Sequence, residues 1–75
     1  MPKLPRISGK EIIRTLERLG FVQVRQRGSY VILTKFTEAG KTGCAVPLHK
    51  IVAVSTLSGI LKQAKVSNEE FISVI

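Results

Sequence analysis

The sequence predicts a single α+β domain: one helix, three antiparallel strands, a second helix and a short appended helix, with the helices on one face of the sheet. Apolar residues recur at helical spacing over 8–20 and again over 55–64. Between those stretches lie β-rich runs broken by glycine-containing turns. Seventy-five residues, 44% hydrophobic with four aromatics, leave room for one Ile/Val/Leu core and no second lobe, so one domain is expected over 1–75.

Residues 1–7 hold two prolines and read as an extended lead-in. Ser8 and Glu11 then form a Ser-x-x-Glu capping box, the spacing at which two side chains satisfy orphan N–H groups at a helix start. Ile12, Ile13, Leu16 and Leu19 line one face of that helix, and Gly20 ends it. Lys10, Arg14 and Arg18, four apart, form a basic stripe on another face, suited to phosphate or simply solvated.

In "FVQVRQR", Val22 and Val24 alternate with Gln23, Arg25 and Arg27, which predicts a strand with one dry and one basic face. Gly28-Ser29 makes the turn, and "YVILTKF" returns as the second strand. A polar loop, "TEAGKTG", leads to a short third strand, "CAV", stopped by Pro47. "LHKIVAV" fits an irregular return or a further strand equally well. Ser55 or Thr56 is the expected cap of the second helix, which would bury Leu57, Ile60, Leu61 and Ala64. Ser67 and Glu70 make another capping box ahead of "FISVI".

Twelve Lys and Arg against five acidic residues give +7 and a pI near 10.2. So strong a bias points to a polyanion, nucleic acid first and an acidic protein second. No apolar run reaches 18 residues and none has the form of a signal peptide, so a membrane span is not expected. One cysteine, Cys44, supplies neither a disulfide nor a zinc framework, which fits a reducing, cytoplasmic setting. A free cysteine of this kind is more often core than nucleophile.

Other chemistries find little support. The five carboxylates are scattered, the chain has no Asp for a strict Ser/His/Asp triad, and "GKTG" lacks the length and context of a phosphate loop. Neither metal nor cofactor is called for. His49, the lone histidine, stands in "VPLHK" after the third strand, where imidazole can donate to phosphate, shuttle a proton or serve structure.

Taken together, "SGKEIIRTLERLGF", "RQRGSY", "VPLHK" and "TLSGILKQAKVSNEEF" resemble the HicA-like toxins of toxin–antitoxin systems, from about Ile7 to Phe71. The resemblance implies a double-stranded-RNA-binding-domain-like α-β-β-β-α fold. It also implies a ribosome-independent, metal-independent mRNA endonuclease silenced by a HicB-like antitoxin. In that family the turn usually reads Gly-Ser-His, the histidine being catalytic; here it reads Gly28-Ser29-Tyr30. Val46, Pro47 and His49 keep the Val-Pro-x-His element, and Ser55-Thr56-Leu57 stands where Gly-Thr-Leu is usual.

Metal-free cleavage of RNA needs a base for the 2′-hydroxyl, donors for the crowded phosphate and an acid for the departing oxygen. Imidazole, with a reference pKa of about 6.5, is available as a base at pH 7, whereas only about one free phenol in a thousand is ionised there. At position 30 tyrosine would therefore cut with help from nearby cations, donate to phosphate, stack on a base, or act as a plain strand aromatic. The expected site comprises Tyr30 and His49 as catalytic residues, with Lys10, Arg14, Arg18, Arg25, Arg27, Gly28, Ser29 and Lys35 holding RNA. The rival expectation is a non-catalytic RNA- or antitoxin-binding module on the same scaffold.

Overall fold

A computed structural model describes residues 3–75, so the first two positions of the expected lead-in lie outside it. Helix α1 (Gly9–Arg18) precedes strands β1 (Val22–Arg27), β2 (Tyr30–Thr37) and β3 (Gly40–Pro47), followed by α2 (Val54–Ala64) and α3 (Asn68–Ser73). The strands form one antiparallel sheet in the order β1-β2-β3. This is the α-β-β-β-α order expected, consistent with the double-stranded-RNA-binding-domain-like class.

Local chemistry explains most boundaries. The Ser8 side chain accepts from the Glu11 N–H at 3.2 Å, forming half of the expected box, and Gly20 ends the helix at φ +100°. At Ser67 and Glu70 both halves of the box form. Ile12, Leu16, Leu33, Leu57, Leu61 and Phe71 are fully buried, each contributing about 1.5–3 kcal/mol of transfer free energy. Thr15, also buried, satisfies its hydroxyl by donating to the Glu11 carbonyl at 2.8 Å.

Three expectations change, and one alternative left open, at residues 48–53, is decided. The dry face of β1 does not exist: Val22 is 61% and Val24 53% exposed. The helices lie over β3, leaving β1 at the margin, and a bulge at Val24 breaks its alternation. The polar loop at 37–43 shrinks to a turn at Glu38-Ala39, because Gly40 takes a positive φ and Gly43 passes over Leu33 and Thr34 without a side chain to clash. Residues 48–53 are an irregular return touching Ile7 through one bridge at Val52. That bridge sets the chain's direction early, so α2 starts from Ala53 with no side-chain cap, and Ser55 and Thr56 fall inside its first turn.

Candidate functional site

Strand parity sorts the side chains. Val31 and Leu33 of β2 pair with Val46 and Cys44 of β3, and all four are buried beneath the helices. The alternate positions therefore face away from the helices: Tyr30, Ile32, Thr34 and Phe36 on β2, and Arg25 and Arg27 on β1, opposite Ile32 and Tyr30 respectively. On β3 the open-face positions are Lys41, Gly43, Ala45 and Pro47.

Tyr30 opens β2, paired with Arg27 on one side and Pro47 on the other. Its placement depends on Gly28, whose φ of +59° suits the first central position of a tight hairpin turn. The Gln26 side chain braces that turn by donating to the Gly28 carbonyl at 3.0 Å. Two backbone bonds then gather neighbouring segments. The Leu48 N–H donates to the Ser29 carbonyl at 2.7 Å, and the Gly9 N–H donates to the His49 carbonyl at 2.9 Å. The β1–β2 turn, the His49 segment and the start of α1 thus meet at one end of the sheet.

That convergence has a steric condition. A Cβ on Gly9 would overlap the Pro47 carbonyl, so glycine lets the helix start press against the end of β3. His49 and Lys50 are exposed beside it. No motif marks Lys50; its only sequence signal is a cation next to the lone histidine.

The cations expected to hold RNA divide. Arg25 and Arg27 lie on the open face, while Lys10 and Arg14 line a groove between α1 and β1 with Gln23 and Gln26. Glu17 lies in the same groove, where its carboxylate accepts from the Gln23 amide at 3.3 Å. Two residues stand apart. The Arg18 guanidinium donates to the Val74 carbonyl at 2.7 Å, tying α1 to the end of α3. Lys35 is half-buried on the helix side with its ammonium 5.8 Å from the Phe21 ring centroid, at the other end of β2 from Tyr30. Cys44 is core: burial pushes its thiol up to about 11, which disfavours the nucleophilic thiolate.

A sequence model described as the HicA toxin of bacterial toxin–antitoxin systems matches residues 9–66, more than half of the chain. The chain belongs to that family. No curated protein and no solved structure matches it. The matched span runs from the glycine that packs on Pro47 to the residue after the α2 cap, so the whole sheet and both longer helices fall inside it. As a HicA-family toxin the chain has an antitoxin as its implied partner. Among the described residues of this HicA-family chain, no helix is long and apolar enough to cross a membrane.

Proposed function

We propose that this HicA-family chain binds mRNA and cleaves it without a metal, with Tyr30 and His49 as the reacting pair, until its antitoxin masks them. The supporting observation is the 2.7 Å bond from the Leu48 N–H to the Ser29 carbonyl, which draws the His49 segment to the turn carrying Tyr30. Arg27, directly across from Tyr30, adds the cation that a phosphate needs.

The reaction is an internal transesterification. The 2′-oxygen attacks phosphorus and gives up its proton, the bond from phosphorus to the 5′-oxygen breaks, and that oxygen takes a proton. The products are a 2′,3′-cyclic phosphate and a 5′-hydroxyl end. Imidazole suits the proton transfers and the phenol suits donation to a phosphoryl oxygen, where negative charge gathers. Arg25 and Arg27 neutralise flanking phosphates, Gly28 admits backbone close to the turn, and Ser29 offers a hydroxyl. Lys10 and Arg14 hold RNA from the helix side, while Arg18 and Lys35 add to the positive field that steers it. The proposed setting is the cytoplasm, where mRNA is met.

A second reading, a module that binds RNA or antitoxin without cutting, is favoured by the exposure of Tyr30, 48% at an open strand end. Donors that stabilise a transition state work best where water is excluded. Partner-free chain incubated with labelled RNA and a chelator separates the two readings on a gel. The catalytic reading expects cleavage by the native chain, reduced at least tenfold in Tyr30→Phe and His49→Ala. RNA left intact by the native chain but cut by Tyr30→His would sink it and leave a binder.

A further inference from the structure

Sheet faces left open to water are ordinarily polar. Here that face carries Tyr30, Ile32, Thr34 and Phe36 in line along β2; Thr34 is buried and Ile32 half-buried, while the two end aromatics are exposed, Phe36 by 79%. Each exposed aromatic has a cation directly across from it. Arg27 pairs with Tyr30, and Lys41 pairs with Phe36, its ammonium 6.0 Å from the ring centroid. Arg25, opposite Ile32, supplies a third cation between those two ends. None of the strand positions that define this face is acidic. Gly43 and Ala45 on β3 keep that side of the face shallow.

We infer that the open sheet face binds single-stranded RNA, with Tyr30 and Phe36 stacking bases and Arg25, Arg27 and Lys41 holding phosphates. The inference rests on the reading of RNA as ligand and extends that site from the turn along the length of β2. Tyr30 and Phe36 are six residues apart, roughly 20 Å along a strand. That run accommodates on the order of four nucleotides, the low end of what a small single-strand-binding fold covers. Bases reach an aromatic face only when unstacked from a duplex, so the chemistry selects a single strand. A second copy of the chain is a poor occupant, because Arg25, Arg27 and Lys41 would meet like charge. The pairing of aromatic with cation at both ends of β2 also fits RNA better than a plain apolar protein contact.

The chain contains no tryptophan, so Phe36→Trp introduces a single fluorophore on this face. A short mixed-sequence single-stranded RNA should quench it, and the same strand annealed to its complement should not. In anisotropy titrations at low salt, Phe36→Ala should weaken single-strand binding by about tenfold, in line with the loss of one stacked base. Lys41→Gln should weaken it less and flatten its dependence on salt. Single-strand binding that is unchanged in Phe36→Ala, with no quenching in Phe36→Trp, overturns the inference and leaves the face to a protein partner. The reading of RNA as ligand would survive that result. It would fall, with the inference, if the native chain bound neither single strand nor duplex.

Discussion

The two faces of β2 obey opposite rules although their residues alternate along one strand. Val31 and Leu33 are buried against the helices, while Tyr30 and Phe36 stand in water on the other side. The covered face is aliphatic and shares one core with Ile12, Leu16, Leu57 and Phe71. The open face is cationic and aromatic, with Tyr30 48% and Phe36 79% exposed and only the Lys41 ammonium set over a ring. In so small a protein, stability is concentrated in one layer, and the other is free to carry side chains chosen for a partner. A core of this size supplies roughly 3–5 kcal/mol net, so little of it can be given up.

The largest expected effect tests that division directly. Leu33→Ala should cost about 2–5 kcal/mol, enough to unfold much of the population, because a fully buried leucine leaves a cavity. Phe36→Ala, three residues along the same strand, should move the urea midpoint by no more than about 0.5 kcal/mol equivalent. A large loss in Phe36→Ala would mean that the open face also holds the fold together.

Next in size is Gly9→Ala, which probes where the faces meet. The new methyl would run into the Pro47 carbonyl, and that atom is backbone with little room to yield. Overpacking here should cost about 1–3 kcal/mol and push the His49 segment away from α1. The proposed RNA cleavage should fall further than melting accounts for, while Phe36→Ala should show the reverse pattern, sound folding with a weakening of the proposed RNA binding. Equal stability and activity in Gly9→Ala would separate the site from the helix start.

Those contrasts also show what was legible in the sequence. The covered layer could be read because burial imposes a period: Ile12, Ile13 and Leu16, and later Leu57, Ile60, Leu61 and Ala64, follow the helical repeat. Val22 and Val24 carried the same kind of pattern and are nevertheless exposed, because periodicity records which residues share a face and not whether anything covers it. The bulge at Val24 adds a parity break that no composition signals. Gly40 and Gly43 read as loop residues in the sequence; Gly40 opens β3 straight after the turn, and Gly43 lies inside that strand. In the candidate site, Gly28-Ser29-Tyr30 and His49 are visible as motifs, yet Tyr30 and His49 are 19 residues apart in sequence, and it is the ladder between β2 and β3 with the Leu48–Ser29 bond that brings their segments to one end of the sheet. Arg18 and Lys35 show the converse, since charge spacing does not reveal that one ties down α3 and the other lies beside Phe21.

Cys44 gives the covered face a pH signature of intermediate size. Burial raises its thiol from 9.0 to about 11, so the folded chain keeps a proton that the unfolded chain releases. Below pH 9 both states hold it and the group contributes no pH dependence. Between pH 9 and 11 stability should fall with rising pH, by up to about 3 kcal/mol, and then level off. Urea melts of the native chain and Cys44→Ala across that window isolate the contribution as a difference in slope. Parallel slopes would mean that water reaches the thiol.

The smallest expected effect is the most direct test of β1. Val24 sits at the bulge, 53% exposed, on a strand with no buried position. Val24→Thr keeps the β-branched shape and strand preference while adding a hydroxyl that water can satisfy, so stability should change by less than about 0.5 kcal/mol. The same exchange at a covered position such as Val46 would bury that hydroxyl and cost about 1–3 kcal/mol. A matched pair of thermal melts compares the two substitutions. If Val24→Thr costs as much as Val46→Thr, the edge of the sheet is packed in solution, and the division between a covered layer and an open one fails at β1. If it costs nothing, β1 is held by its ladder to β2 and the Gln23–Glu17 bond to α1, and its valines and arginines are free to meet a ligand.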